Sequence, residues 1–253
     1  MTIVGVTGDI GHGKSTFAAD LASFAESSQA FESSDIIMEV ANQLRAKTSI
    51  QSPRTLEEVN DWLQPLPSIL KTVVHQDVPF ELVEVRQVDI KDDPASYAKL
   101  FDYLELIKQH PQLAATDLTP ENKAQVRPLL QWLGGYLVKK VDNKIWYKEI
   151  VSRISYLPPV ELVTVGGLRY LSDAESIREI GGHILAVYRP DQGTLDANDV
   201  TEQQRAQIQP DSTIVNDGSL EDLRYCASVV LTDLKAQRLQ GLYSAGELNA
   251  SAS

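Results

Sequence analysis

The fold turns on one stretch near the amino end, "VTGDIGHGKST", residues 6–16. It overlaps the end of the short β-branched run "TIVGVT" (2–7), which reads as a buried parallel strand. It leads into "KSTFAADLASFAE" (14–26), where Phe17, Leu21 and Phe24 recur at helical spacing. Within it, "GDIGHGKS" fits G-x-x-x-x-G-K-[ST] at Gly8, Gly13, Lys14 and Ser15. A strand, loop and helix in that order let successive backbone N–H groups curl inward around an anion. A side chain at Gly8, Gly11 or Gly13 would obstruct the curl or the approach. The helix starting near Lys14 adds its positive dipole end. Lys14 can bridge the outer phosphates of a nucleoside triphosphate, and the Ser15 hydroxyl can ligate Mg²⁺. The expectation is ATP on this loop, with Asp9, His12 and Thr16 completing the contact positions. His12 is given no chemistry of its own.

Working outward, "QAFESS" (29–34) reads as a second strand and "DIIMEVANQLRAK" (35–47) as a helix. Alternation returns late in the chain. "VELVTV" (160–165), "HILAVYR" (183–189) and "STIVN" (212–216) read as strands. "SDAESIREI" (172–180) reads as a helix capped by Ser172, and "SLEDLRYCASVVLTDLKAQ" (219–237) as a long amphipathic one. Strands alternating with helices at both ends imply an α/β fold with a parallel sheet. Between them, prolines punctuate helical segments such as "ASYAKLFDYLELIKQ" (95–109) and "NKIWYKEIVSRISYL" (143–157). "PENKAQVRPLLQWLGGYLVKKV" (120–141) reads as helix kinked at Pro128 and broken at Gly134-Gly135. "LVEVRQVDIKDD" (82–93) alternates, as an extra strand or edge ribbon would.

The organisation expected is a three-layer α/β P-loop core over 1–47 and 156–240. A mostly helical insertion spans 48–155, a lid 190–211 and a flexible tail 244–253. A net charge of −12 would repel a polyanion, so broad binding to nucleic acid or a membrane surface is disfavoured, while a small anion remains allowed. A single cysteine, Cys226, rules out an internal disulfide and reads as a core thiol. Neither a signal peptide nor a spanning apolar run is evident, so the expected location is the cytoplasm. A homodimer stays open.

The later segments resemble the deoxynucleoside monophosphate kinase family, a relative of the dephospho-CoA kinases. The resemblance rests on "GGLRYLSDAESIREIGGHILAVYRP" (166–190), "STIVNDGSLEDL" (212–223) and "RPLLQWLGGYLVKKVDNKIW" (127–146). It covers 1–47 and 120–237. It implies ATP-dependent phosphorylation of a (deoxy)nucleoside monophosphate to the diphosphate. By that resemblance Arg169 and Arg127 contact the acceptor phosphate. Arg189 begins the lid and Arg205 lies within or beside it, and either can close over the transferring phosphoryl group; a surface ion pair is the other reading of each of these arginines. Asp35 binds the acceptor's sugar or orients the attacking group, or else caps its helix. Gln131 and Trp146 serve the nucleobase, with a core role open for Trp146. Asn216 and Asp217 flank the adenine of ATP, or cap the last helix. Glu202 stands near a Ser-Glu pair of the family lid.

One departure matters. The family has an acid where this chain has Gly167, two residues before Arg169. Two alternatives therefore remain beside the kinase reading. One is phosphorylation of another hydroxyl acceptor such as dephospho-CoA. The other is a nucleotide-binding protein with weak or no turnover. A regulatory GTPase is disfavoured, because no N-K-x-D follows the loop.

Overall fold

The computed structural model of the chain describes residues 1–9, 11–47, 55–114, 116–190 and 204–250. The chain divides into two compact units, Met1–Glu32 with Val151–Ser253, and Ser33–Ile150.

In the first unit, β1 (Thr2–Thr7), β2 (Ser28–Glu32), β3 (Leu162–Gly166), β4 (His183–Tyr188) and β5 (Ser212–Val215) form one sheet. The order is β2-β3-β1-β4-β5, and every pairing is parallel. β1 sits centrally, with Thr2 opposite Leu162 on one side and Thr7 opposite Ala186 on the other. Its residues are buried throughout, as a central strand covered on both faces requires. Helix α1 (Lys14–Phe24) and the last helix, α11 (Leu220–Ala250), pack together on one face. There Val4, Val6, Phe17, Leu21, Leu185, Leu223 and Leu231 form a continuous core, and Cys226 packs against it as expected. The opposite face carries α10 (Leu171–Glu179), whose Ile177 reaches Gly5 and Gly182. The α/β P-loop fold read from the sequence is the fold observed.

The second unit is helical: α2 (Ser33–Lys47), α3 (Leu56–Leu63), α4 (Leu66–Val73), α5 (Phe80–Val83), α6 (Gln87–Asp92), α7 (Pro94–Gln109) and α8 (Arg127–Lys140). Helix α9 (Ile145–Ser155) follows. The division thus groups α2 with the helical segment rather than with the core. Its centre is aromatic. Trp62 stacks on Tyr103 at 6.0 Å, and Trp132 on Tyr136 at 5.1 Å.

Several local expectations are corrected. The alternating 82–93 segment forms α5 and α6 rather than a strand. Helical turns satisfy much of its backbone, as in Glu84 N–H to Phe80 O at 2.8 Å and Ile90 N–H to Arg86 O at 3.1 Å, and side chains serve the stretch between them. Asn60 accepts from Val85 N–H at 2.8 Å and donates to its carbonyl at 3.1 Å, while the Tyr136 hydroxyl donates to Leu82 O at 3.3 Å. Pro128 falls in the first turn of α8, where its missing N–H costs nothing, so it starts a helix instead of kinking one. The helix also runs through Gly134-Gly135. Burial of Trp132, Leu133, Tyr136 and Leu137 on one side outweighs a glycine cost of about 1 kcal/mol each. Ser172 lies inside α10, whose N-cap is Tyr170.

Candidate functional site

β1 delivers the chain to the carboxyl edge of the sheet at Thr7. Gly8, Gly11 and Gly13 then take φ of 137°, 82° and 94°, a region that side chains disfavour. At Gly8 a Cβ would also collide with the Val187 carbonyl oxygen, and at Gly13 it would stand 2.7 Å from Asn216 Nδ2. The loop closes on itself: His12 N–H donates to Asp9 O at 3.3 Å and Lys14 Nζ to the same oxygen at 2.6 Å. Helix α1 starts directly after Gly13 and has no acid in its first turn, so its positive end is not neutralised there. Ser15 and Thr16 are exposed on that turn.

His12 ties this loop to the ends of β4 and β5. Its ring is 2% exposed and meets Tyr188 edge-on at 5.6 Å. Nδ1 accepts from Arg189 N–H at 3.3 Å, and the His12 carbonyl accepts from Asn216 Nδ2 at 3.0 Å. Asn216 N–H donates to Tyr188 O at 2.7 Å. The end of α11 is capped elsewhere, by Ser219 and Asp222, whose carboxylate accepts from Ser219 N–H at 2.8 Å. The capping alternative for Asn216 and Asp217 therefore does not hold. Asn216 is a buried brace of the loop, and Asp217 is exposed beside it.

Arg205 pairs with the Asp9 carboxylate. Together with His12, Tyr188 and Ile208 they line a cavity of about 170 Å³ against the ends of β1 and β4. The Arg189 side chain is exposed at the end of β4. Glu202 and most of the lid fall at 191–203, outside the described residues.

β3 ends at the same edge. Gly167 turns with φ of 77° and the exposed Arg169 follows. The Thr7 hydroxyl donates to Leu168 O at 3.3 Å, which joins the root of the glycine loop to the Arg169 segment. Asp173 Oδ2 accepts from Arg169 N–H at 2.8 Å and Tyr170 N–H at 2.9 Å. Burial pushes the Asp173 carboxyl up to about 6, against the pull of those two amides and of the Arg169 charge. Glu32, at the end of β2, lies across Gly166: a Cβ on Gly166 would stand 3.0 Å from its Oε1.

The remaining sequence-derived candidates lie in the helical unit. Asp35 is exposed in the first turn of α2, Arg127 opens α8 exposed, and Gln131 is exposed one turn on. Trp146 is 4% exposed, with its indole N–H donated to Gly134 O at 3.2 Å. The structure thus brings Asp9, His12, Lys14, Arg205 and Asn216 into one network. Thr7, Tyr188, Asp173 and Glu32 were missed. For Asp173 a signal existed, an acid in the first turn of a helix.

A central β1 entering a three-glycine loop, with α1 behind it and parallel strands on both sides, defines an α/β protein of the P-loop class. Residues 69–226 match the family model described as deoxynucleotide monophosphate kinase, and the chain belongs to that family. It is a kinase family, which implies a nucleotide as phosphoryl donor. The matched span includes β3, β4, β5 and most of the helical unit, and begins after the glycine loop. No curated protein matches the chain. Among the described residues, no helix is long and apolar enough to cross a membrane.

Proposed function

We propose that this protein transfers the terminal phosphoryl group of ATP to a (deoxy)nucleoside monophosphate, giving the diphosphate. One observation carries the reading: three left-handed glycines bend the chain between β1 and a helix whose positive end has no acid in its first turn. Inward-facing amides and Lys14 would hold the β- and γ-phosphates. Arg205 lines the cavity beside Asp9 at the root of the glycine loop. Arg205 would neutralise charge on the group in flight, with Arg189 at the lid's root. Arg169 would draw in the acceptor phosphate, aided by Arg127, with Gln131 reading the base and Trp146 supporting it from beneath. Asp35 would meet the acceptor's sugar.

Mg²⁺ fits this donor set. Among the described residues no cluster of three His, Cys, Asp or Glu could cage a metal. An ion held by the Ser15 hydroxyl, phosphate oxygens and water is the arrangement Mg²⁺ prefers. When bound it would neutralise the charge that builds on the phosphates.

The test is ADP release with ATP and each common nucleoside or deoxynucleoside monophosphate, dephospho-CoA serving as the competing acceptor. At least one monophosphate should support turnover. Lys14→Ala should lower kcat/KM by about 10³, the scale of one phosphate-stabilising cation. ATP binding without product from any acceptor would overturn the proposal and favour the non-catalytic alternative, for which the absence of an acid at Gly167 is the motive.

A further inference from the structure

The segment that carries Arg169 is held from two sides as well as turned by glycine. Gly167 reverses the chain with φ of 77°. The Thr7 hydroxyl takes Leu168 O at 3.3 Å. Asp173 Oδ2 takes the two successive amides of Arg169 and Tyr170 at 2.8 and 2.9 Å. Asp173 is 3% exposed, an expensive place for a carboxylate. The arginine side chain itself is exposed, so its own packing does not fix where the guanidinium stands. Its backbone does.

We infer that Asp173 is a positioning residue for Arg169: by clamping the amides of Arg169 and Tyr170 it aims the guanidinium at the acceptor phosphate. The inference rests on the reading of Arg169 as an acceptor-binding residue. An ordinary acid at this position would close a capping box on the Tyr170 N–H and favour α10 through its dipole. Asp173 differs because one of the two amides that donate to its Oδ2 belongs to the functional arginine itself. A charge-assisted pair of bonds to consecutive amides fixes both the turn and the direction in which residue 169 leaves the backbone. Thr7 adds a second consequence. The residue that anchors Leu168 is also the last residue before the glycine loop, so the donor-side and acceptor-side segments share one hydrogen bond at the sheet's edge.

The experiment compares Asp173→Ala, Asp173→Asn, Arg169→Ala and the Arg169→Ala/Asp173→Ala double variant in the ADP-release assay, titrating acceptor and ATP separately. Asp173→Ala should raise the acceptor KM about tenfold and leave the ATP KM within about twofold, since misaimed binding groups cost one to two orders of magnitude. Asp173→Asn keeps an oxygen for both amides and should restore the acceptor KM. The double variant should be no worse than Arg169→Ala, because Asp173 acts through that side chain. If Asp173→Ala does not fold, Asp173→Ser, too short to reach both amides, takes its place with the same expected shift. An unchanged acceptor KM in the Asp173 variant while Arg169→Ala raises it, or additive losses in the double variant, overturns the inference. An unchanged acceptor KM in Arg169→Ala removes the acceptor reading of Arg169, and the inference falls with it.

Discussion

Glycine appears in two settings here, and the contrast separates the two units. In the loop of Gly8, Gly11 and Gly13 the backbone itself is left-handed, and a Cβ at Gly8 would meet a carbonyl of the neighbouring strand. In α8, Gly134 and Gly135 sit in ordinary helix. Gly135 has nothing within 4 Å of where a Cβ would stand, and Gly134 has only Ile37 Cδ1 at 3.1 Å. In the sheet unit glycine is demanded by the path of the chain. In the helical unit it is at most a convenience of side-chain packing. The first kind of site holds its polar groups by backbone geometry. The second is organised by stacked aromatics and by side chains that satisfy the backbone one bond at a time.

Three substitutions press on that contrast. The largest effect is expected at Gly8. Alanine there must bear a strained φ and a clash with Val187, worth about 3 kcal/mol. Nucleotide affinity should fall by about a hundredfold, read by titration calorimetry with an ATP analogue; unchanged affinity would show that the loop's shape is not what binds.

The second concerns buried charge. In the helical unit, burial pushes the Tyr97, Tyr103 and Tyr136 hydroxyls up, so they stay neutral at working pH. In the sheet unit Asp173 titrates near 6, against 3.8 in an unperturbed chain. A raised folded value means that its contribution is full below about pH 3.8 and lost as pH rises through 6. Asp173→Asn cannot titrate. Its stability relative to wild type should therefore improve by about 2 kcal/mol between pH 4.5 and 7.5 in urea unfolding. A pH-independent difference would place the carboxyl at its ordinary value.

The smallest effect is at Gly135. Alanine should stabilise the protein by about 0.5–1 kcal/mol, through helix propensity alone, raising the urea midpoint slightly. Destabilisation would mean that the two settings are not as different as their geometry indicates.

Legibility in the sequence followed the same division. The strands 2–7, 160–165 and 183–189 were readable because a covered parallel strand is an apolar, β-branched run whatever surrounds it, whereas 212–216 holds the edge strand Ser212–Val215, in which Ile214 is the buried residue. Gly8 to Ser15 were readable because the loop's geometry needs those residue types at those intervals. The interior of the helical unit was not. Val83 and Val85 alternate as a strand would, and only the distant Asn60 and Tyr136 explain why the segment can remain helical turns without a ladder. Pro128 gave a true signal, placed at the wrong function, since a proline starts a helix as readily as it kinks one. Ser172 looked like a cap, yet it lies inside α10, and the Asp173 side chain reaches back to the Arg169 and Tyr170 amides. Arg205 beside Asp9 joins residues from opposite ends of the chain, and no local pattern announces such a pair.

Glu32 and Gly166 also meet from distant parts of the chain. An added Cβ at 166 would stand 3.0 Å from Oε1 and 3.2 Å from Cγ of Glu32, so position 166 can enlarge only if that side chain gives way. Shortening Glu32 asks nothing of position 166, so an engineer reshaping that rim would begin at residue 32.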